Sequence, residues 1–294
     1  MGYIYWIASY PKSGNTWMRA FLAAVVTGAE RLDLDALRQI APDENMGRYY
    51  QMFMTKPIEQ ASLEEIARAR PMAHRAIAAG AKGFLFLKTH SMLARHLGAP
   101  TITADVTAGA IHIVRNPLDV AVSYSEFRNR DVSATIELMN QQRRVLDRPR
   151  LGAYEVCGSW AEHVRSWTDK AHDRLLVIRY EDMLAEPQKT FGDVVSFLRM
   201  DADASQVQRA IERTSFEALQ QAEETAGFGE RPPETKRFFR AGRSDQWRQV
   251  LTEEQVARIA TTCEREMRRF GYWLPEFDDL VKAADIEEPR HGQG

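Results

Sequence analysis

The sequence predicts an α/β fold in which helices flank a central parallel sheet on both faces. Three observations support this prediction. Short apolar runs typical of buried strands occur four times, polar or basic residues end each run, and helical periodicity follows most of them. Strands that helices bury on both faces form parallel sheets, so we expect a three-layer sandwich with ligand-binding residues at the strand ends.

The chain opens with a predicted strand, turn and helix. Residues 3–8 are apolar and aromatic and end in a Ser-Tyr-Pro turn, which predicts a buried strand. From Thr16 onwards apolar residues recur every three or four positions, which predicts a helix capped by Ser13 or Asn15. This order places polar residues where the strand gives way to the helix.

Three further strands are predicted along the chain. Residues 84–87 precede Lys-Thr-His, and residues 110–114 precede Arg-Asn-Pro and a helix over 118–127, whose first turn suits the proline. Residues 175–178 precede Tyr-Glu-Asp and a helix over 187–198. The remaining expectations are helices over 205–213 and 253–270, a loop over 227–233, one domain over 1–286 and a flexible tail over 287–294.

Composition excludes several classes of function. With 39 basic and 41 acidic side chains among 294 residues, the formal charge is −2, so no general basic field indicates a nucleic-acid partner. Cys157 and Cys263 lack the spacing of a disulfide framework or a zinc site. The sequence has no signal peptide and no apolar stretch near the roughly 20 residues that cross a bilayer. We therefore expect a cytoplasmic protein without a transmembrane segment, with the arginine-rich stretches 143–150 and 265–269 as solvated helical faces.

The turn after the first strand has the parts of an anion-binding loop. Gly14 lets the backbone approach a ligand closely, Lys12 supplies a cation, and the N–H groups of the following helix face the same place. The turn is not a Walker A sequence, because its lysine precedes its glycine. An ordinary capped helix beside a solvated lysine is the alternative interpretation.

Two other strand ends carry groups that suit transfer chemistry. Lys88 and His90 stand two residues apart, so an extended chain would direct a cation and a titratable base to the same side. Arg115 could bind an anion, with Ser123 farther along the predicted helix. Taken singly, His90 could be a structural histidine and Arg115 the partner of a carboxylate.

Six segments, in order, resemble those of the cytosolic-type sulfotransferases. Residues 10–17, YPKSGNTW, are similar to the family's 5′-phosphosulfate loop YPKSGTTW, with Asn15 in place of its first threonine. Residues 113–124 resemble the 3′-phosphate segment, and residues 88–90 resemble the catalytic segment KTH. The series is completed by residues 179–183, 214–216 and 238–242, so the resemblance covers about residues 3–275. We expect a bacterial member of this family.

The resemblance implies a P-loop-like fold that binds 3′-phosphoadenosine 5′-phosphosulfate (PAPS), transfers its sulfuryl group to a small acceptor's hydroxyl or amine, and releases adenosine 3′,5′-bisphosphate (PAP). It also implies four catalytic residues: His90 as general base, Lys12 and Lys88 stabilising charge, and Ser123. No metal is expected, because two lysines could stabilise a sulfuryl group, which carries less charge than a phosphoryl group. The implied nucleotide-binding residues are Lys12, Ser13, Gly14, Asn15, Thr16, Trp17, Arg115, Ser123, Tyr180, Thr214, Ser215, Phe216, Phe238, Arg240, Ala241 and Gly242.

The sequence departs from the family pattern in two places. Ala241 stands where the family has a lysine that would face the 3′-phosphate, and Arg243 is a candidate replacement. The family's dimerisation pattern is degraded over residues 248–257, so a monomer and a homodimer both stay open.

Two rival functions and the acceptor class complete the interpretation. A P-loop nucleotide kinase lacks support because the Walker A lysine and a magnesium-binding carboxylate pattern are missing, and a non-catalytic nucleotide-binding protein would not need His90. Residues 32–80 and 226–239 should select the acceptor. A lipophilic alcohol, phenol or amine is the preferred acceptor class, and a carbohydrate is the alternative. One aromatic and methionine-rich cluster could line an apolar pocket, although core packing is the stronger expectation for it: Tyr49, Tyr50, Met52, Phe53 and Met54.

Overall fold

Four parallel strands form the central sheet. The computed structural model describes residues 2–30, 33–146, 152–231 and 235–287. All four predicted strands are confirmed, each within a few residues of its expected bounds. In spatial order they are β2 (Phe84–Thr89), β1 (Tyr3–Ser9), β5 (Thr107–Val114) and β6 (Leu175–Arg179). A separate antiparallel pair consists of β3 (Arg95–His96) and β4 (Ala99–Pro100).

Helices connect and cover the strands, as the sequence predicts. In the described part of the chain they are α1 (Asn15–Thr27), α2 (Leu37–Ile40), α3 (Gly47–Gln51), α4 (Leu63–Ala79), α5 (Pro117–Phe127), α6 (Val132–Asn140), α7 (Trp160–Thr168), α8 (Tyr180–Ala185), α9 (Pro187–Phe197), α10 (Ala204–Arg213), α11 (Phe216–Ala226), α12 (Glu253–Arg269) and α13 (Glu276–Glu287). Short 3₁₀ turns occur at Ile58–Gln60, Ala104–Val106 and Gln246–Gln249.

Side-chain alternation along β1 separates two apolar layers. Ile4, Trp6 and Ala8 are fully buried in a cluster that includes residues of α4 and α7. Ile7 points to the opposite face, where it belongs to a cluster formed with α1, α9 and α10. Because successive side chains of a strand face opposite sides, helices cover the sheet on both faces. This confirms the sandwich predicted from the apolar runs.

The strand order creates a crevice at the carboxyl ends of β1 and β5. The chain passes from β1 to its neighbour β2 on one side, and from β5 to its neighbour β6 on the other. Connections that leave adjacent strands in opposite directions open a cleft where α/β proteins bind ligands. The turn at residues 10–14 and the segment that begins at Arg115 both lie at this point.

The start of α1 differs from the prediction. Gly14, with φ 104°, precedes the helix, and no side chain caps it. The Asn15 amide instead donates to the carbonyl of Ile7 at 2.8 Å and to the hydroxyl of Ser9 at 3.3 Å. Asn15 therefore ties the turn to β1 through its side-chain amide, and its implied contact with the nucleotide stays a prediction.

Helix α4 is an element that the sequence analysis does not predict. Pro71 lies within it, and proline removes a helical hydrogen bond. A capping box offsets this at the start: Ser62 accepts from the Glu65 N–H, and the Glu65 carboxylate accepts from the Ser62 N–H at 2.7 Å. Burial of Ile66 and other apolar residues on one face then stabilises the helix.

The arginine-rich stretch 143–150 is not the solvated face predicted for it, so far as it is described. Arg144 is buried, and its guanidinium donates to the hydroxyls of Tyr10 and Tyr124 at 3.3 and 3.4 Å. Residues 147–150 lie outside the described part. Within 265–269, Arg265 and Arg268 are half-exposed and paired with carboxylates, as expected of a solvated face.

The C-terminal part of the chain agrees with the helix predicted for it and differs from the predicted tail at one residue. The helix predicted over 253–270 is present as α12, and four residues on one face of it are buried: Val256, Ile259, Ala260 and Cys263. Glu287, the first residue of the predicted tail, still belongs to α13, and the rest of that predicted tail, residues 288–294, lies outside the described part. Among the described residues, no helix is both long and apolar enough to span a membrane.

Candidate active site

A cavity of about 800 Å³ opens at the carboxyl ends of the strands. It is lined by the turn after β1, the end of β2, the segment after β5, the start of α8 and the loop before residue 243. Most of the predicted site residues share its wall: Lys12, Gly14, Asn15, Thr16, Trp17, Lys88, His90, Arg115, Ser123, Tyr180, Phe216, Phe238, Arg240, Ala241 and Gly242.

The turn after β1 packs closely enough to require glycine. A Cβ on Gly14 would lie 2.8 Å from Cδ2 of Tyr180, and its φ of 104° is unfavourable for other residues. Lys12 also has a left-handed backbone, with φ 67°. This geometry brings the first turn of α1 to the cavity, and N–H groups there have no intrahelical acceptor.

The Lys12 ammonium group lies between two aromatic rings. Its Nζ is 4.0 Å from the ring centre of Phe127 and 4.3 Å from that of Phe238. Burial, together with the nearby Arg115 charge, lowers the pKa of Lys12 to about 7. The rings contact the ammonium group but carry no negative charge that would balance it. An anion that enters the cavity would raise the pKa of Lys12 again and favour its charged form.

Arg115 links the segment after β5 to the turn after β1. Its guanidinium donates to the carbonyl of Lys12 at 2.8 Å and to that of Arg243 at 3.4 Å, and it stacks 4.2 Å above the Tyr180 ring. Its Nε is buried and has no hydrogen-bond partner among the described residues. Backbone carbonyls therefore hold Arg115, which leaves its positive charge available to the cavity.

His90 is held as a neutral base. Its Nδ1 lies 2.7 Å from the carbonyl of Ser9, which can only accept, so Nδ1 carries the proton and Nε2 carries a lone pair. Burial and the Lys88 charge lower the pKa of His90 to about 3. The backbone N–H of His90 donates to the Glu155 carboxylate at 2.5 Å, which fixes the end of β2.

Two buried carboxylates shape the loop that closes the cavity. Glu223 accepts from the backbone N–H groups of Phe238 and Phe239 at 2.8 to 3.0 Å, which places the Phe238 ring against Lys12. Asp119 accepts from the N–H of Asp245 at 2.7 Å and from that of Trp247 at 3.1 Å. The segment between these anchors contains Arg240, which pairs with Glu126 and Gln246.

A model of the sulfotransferase domain matches residues 5–271. The chain belongs to the sulfotransferase family. Curated relatives include the flavonol 3-sulfotransferase of Flaveria bidentis, 24% identical over 91% of this chain and 83% of that protein. The amine sulfotransferase of Oryctolagus cuniculus is 24% identical over 90% of this chain and 80% of that protein.

Solved sulfotransferase-like structures share the fold. A mouse sulfotransferase solved with PAP has a TM-score of 0.58 and 22% identity, and covers 97% of this chain and 89% of its own. A retinol dehydratase solved with retinol and PAP has a TM-score of 0.61 and 19% identity, and covers 90% of this chain and 81% of its own. These relatives come from other kinds of organism or state no bacterial source, so a bacterial source stays a prediction.

Three predicted nucleotide-binding residues of this sulfotransferase do not line the cavity. Thr214 is completely buried and its hydroxyl donates to the carbonyl of Ala210 at 2.7 Å. Ser215 caps α11 by accepting from the Ala218 N–H. Ser13 is buried behind the turn, where its hydroxyl has no partner among the described residues. The Thr214 hydroxyl already donates within its helix, and the nucleotide contacts implied for these three residues stay predictions.

The cluster that could have lined an apolar acceptor pocket of the sulfotransferase packs mostly in a core, which is the stronger expectation for it. None of the five residues of the Tyr49–Met54 cluster is in the cavity wall. Tyr50 is buried in a separate core and donates to Glu44, whereas Met52 is 68% exposed. Polar residues that the sequence analysis missed stand at the cavity instead: Arg38, Asp43, Asn45, Glu155 and Glu230.

The expected replacement for the missing family lysine is not in the wall either. Arg243 is exposed, and its backbone carbonyl, rather than its side chain, contacts Arg115. Ala241 does line the cavity. In the described part of this sulfotransferase, no group of three or more His, Cys, Asp or Glu side chains could hold a metal ion.

Gly242 is a position where a single methyl group should disturb the cavity of the sulfotransferase. Its φ is 56°, and an added Cβ would lie 2.1 Å from a ring carbon of Phe216. We expect Gly242→Ala to lower the free energy of unfolding by about 1–3 kcal/mol through backbone strain, and to weaken PAP binding by displacing the ring. Thermal unfolding and calorimetric titration with PAP measure the two effects.

Gly192→Ala is the matched control. Gly192 lies in α9, and an added Cβ there would have no neighbour within 4 Å. This change should stabilise the helix by about 0.5–1 kcal/mol and leave PAP binding unchanged. Equal PAP affinity of Gly242→Ala and the parent would contradict a role for Phe216 in the ligand site.

Proposed function

We propose that this sulfotransferase moves the sulfuryl group of PAPS to a hydroxyl of a small, polar acceptor. The observation that carries the proposal is the meeting of a neutral base, His90, with Lys12, Lys88 and Arg115 in one cavity. A base and several cations together suit an anionic donor and a nucleophile that must lose a proton.

The residues present fit the donor PAPS. Arg115 has an unpartnered, buried Nε for an anionic group, and the first turn of α1, whose N–H groups lack intrahelical acceptors, reaches the cavity. Three aromatic side chains in the same wall offer faces to a purine: Trp17, Tyr180 and Phe216. PAP in two of the solved likenesses agrees with this donor. PAPS supplies the activated sulfuryl group, and the side chains supply position, charge and a proton acceptor.

His90 acts first in the proposed reaction. Its Nε2 takes the proton of the acceptor hydroxyl, whose oxygen forms a bond to sulfur as the bond from sulfur to the 5′-phosphate oxygen breaks. Lys12 donates to the departing oxygen as negative charge grows on it, and Lys88 donates to the sulfuryl oxygens. Ser9 holds the imidazole in the required tautomer throughout.

The cavity wall favours a polar acceptor over a lipophilic one. The cluster that would have made an apolar pocket is elsewhere, and Glu155 contacts the backbone of His90 and accepts from the Asn45 amide at 3.2 Å. Asp43 lies beside Lys88. An apolar acceptor would displace water from these groups without offering them a further hydrogen bond, which is unfavourable. We therefore favour a carbohydrate or another polyhydroxyl acceptor.

Transfer from labelled donors tests the proposal. The protein is incubated either with PAPS labelled in its sulfuryl group or with ATP labelled in its γ-phosphate, and with sugars, amino alcohols, phenols or lipophilic alcohols. We expect label to move from PAPS, and faster to the polar acceptors, because these satisfy Asp43, Asn45 and Glu155. Transfer from ATP but not from PAPS would favour the nucleotide-kinase alternative, and preference for lipophilic alcohols would contradict the polar-acceptor assignment.

A further inference from the structure

We propose that Asp43 is a positioning residue that holds the Lys88 ammonium group at the cavity wall for sulfuryl transfer. The role of Lys88 in sulfuryl transfer rests on the proposed function, whereas its positioning by Asp43 does not. Asp43 and Lys88 form a direct ion pair, with side chains 18% and 13% exposed, and both line the cavity. Asp43 belongs to none of the segments that resemble sulfotransferase motifs.

Backbone pairing fixes Asp43 opposite Lys88. The Lys88 N–H donates to the carbonyl of Pro42 at 2.9 Å, and the Glu44 N–H donates to the carbonyl of Lys88 at 3.0 Å. Residues 42–44 thereby add a parallel bridge to β2, which is the edge strand of the sheet. Side chains of paired residues lie on the same face of a sheet, so the ion pair follows from the register.

Glu44 anchors the bridge on its other side. Its fully buried carboxylate accepts from the Tyr50 hydroxyl at 2.7 Å and from the Ser91 hydroxyl at 3.4 Å, and it lies 3.5 Å from Nε2 of His74. Breaking such a network would leave a buried carboxylate unsatisfied, which is costly. The Asp43 backbone is therefore held by its neighbour as well as by β2.

The two lysines of the cavity differ in what Asp43 supplies. Both are largely buried, and burial alone lowers a lysine pKa. Lys12, which contacts aromatic rings, has a pKa of about 7. Although burial also opposes the charge of Lys88, the Asp43 and Glu155 carboxylates raise its pKa above the ordinary value. A directly paired carboxylate therefore keeps Lys88 charged. By contrast, the Glu126 and Glu223 carboxylates near Lys12 do not offset its burial and the Arg115 charge.

Asp43 is the main carboxylate that raises the pKa of Lys88. The charged or titratable groups that face Lys88 are Asp43, Glu155, Glu230, Arg19 and His90. Glu230 is already paired with Arg19 at 2.8 Å, and burial raises the pKa of Glu155 to about 7, so it is only partly ionised at neutral pH. Lys88 and Arg19 hold the pKa of Asp43 below its ordinary value despite burial.

The ion pair leaves Lys88 able to act. An ammonium group has three donors, so one directed to Asp43 leaves two for the sulfuryl oxygens. A donor that is fixed before the reaction stabilises developing charge more than one that must be ordered during it. Asp43 thus supplies both the orientation and the protonation of Lys88 without itself contacting the reacting atoms.

Titration of the lysines in the whole chain tests this directly. Lysine labelled with ¹³C at Cε is incorporated, Lys88→Met identifies the Lys88 signal, and chemical shifts are followed against pH. In the parent, Lys88 should titrate above ordinary lysines, and in Asp43→Asn its pKa should fall by at least about one unit. Asp43→Glu should restore a raised pKa. Asp105→Asn, which removes a surface carboxylate paired with Arg75, should change nothing.

Two results of the titration would overturn the proposal. One is a Lys88 pKa in the parent no higher than that of ordinary lysines, which needs no variant that must fold. The other is an unchanged Lys88 pKa in Asp43→Asn.

Turnover supplies a second readout. Asp43→Asn should lower kcat about ten-fold in the parent background but less than about two-fold in Lys88→Met, because a residue that acts through another shows non-additive effects. Equal losses in both backgrounds, or a change confined to the acceptor KM, would contradict positioning through Lys88. A parent that transfers nothing from PAPS would instead count against the proposed function, and the titration result would still decide the placement of Lys88.

Discussion

His90→Gln is expected to lower kcat for sulfuryl transfer by about 10²- to 10⁴-fold, the usual contribution of a positioned general base. Glutamine is close to histidine in size, but its amide cannot take a proton from the acceptor. PAP should bind to the variant as to the parent, because the cationic residues of the site remain. Steady-state kinetics and calorimetric titration with PAP separate the two effects.

A matched histidine and the pH profile make this prediction sharper. His172→Gln, at a side chain 51% exposed beside Asp173, should leave kcat unchanged. Because the pKa of His90 is about 3, its base form predominates at every pH above that value, so protonation of His90 should not reduce activity between pH 5 and 8. Activity of His90→Gln equal to the parent's would remove the general-base assignment.

Lys12→Met is expected to weaken both nucleotide binding and turnover. Loss of a hydrogen bond to a charged group costs about 1.5–3 kcal/mol, which corresponds to a ten- to hundred-fold loss of PAP affinity. Loss of a donor to the departing oxygen should lower kcat by a further 10²- to 10³-fold, by analogy with other preorganised donors, as an order of magnitude. Lys189→Met, at a side chain 74% exposed on α9, is the control.

The pKa of Lys12 adds a dependence on pH. A lysine with a pKa of about 7 is charged below that pH and neutral above it. PAP affinity of the parent should therefore fall by up to about ten-fold per pH unit above 7, whereas Lys12→Met should lack that slope. A parent affinity that does not vary between pH 7 and 9 would contradict the prediction.

The unliganded protein should respond to pH in the opposite sense. The unfolded chain holds the Lys12 proton up to an ordinary lysine pKa, so between pH 7 and about 10 it binds more protons than the folded chain. The Lys12 contribution to the free energy of unfolding therefore rises with pH across this window. Binding and stability thus move apart for one physical reason, which is the burial of an ammonium group whose charge the nearby Glu126 and Glu223 carboxylates offset only in part.

The strand ends were predictable because their signals are local. A buried strand followed by a polar turn is visible in the sequence at Lys12, Lys88, Arg115 and Tyr180, and parallel strands bring these ends together. The elements that escaped prediction are those whose stability comes from tertiary contacts, such as α4 with its internal proline.

The residues that orient the site could not be predicted in this way. Asp43, Glu155 and Glu223 each act on a segment distant in sequence, and nothing in their own neighbourhood marks them. For Arg144 the local pattern was misleading. A run of charged residues predicts exposure to solvent, whereas the Arg144 guanidinium is buried and donates to two tyrosine hydroxyls. These contacts depend on which distant segments the fold brings together, and local sequence patterns do not predict that.

Arg240 is paired with Glu126, so an anion that binds Arg240 in the proposed function would exchange places with the Glu126 carboxylate. An anion that engages Arg240 releases the Glu126 carboxylate, whose pKa burial already raises while the arginine holds it down. Once released, that carboxylate holds a proton more tightly, so capture of the anion and uptake of a proton become linked events. The same ion pair gives the Arg240 guanidinium a counter-charge within the protein. The protein as a whole is near neutral, so its overall charge does not attract long polyanions, whereas the proposed function needs only a small anion to bind.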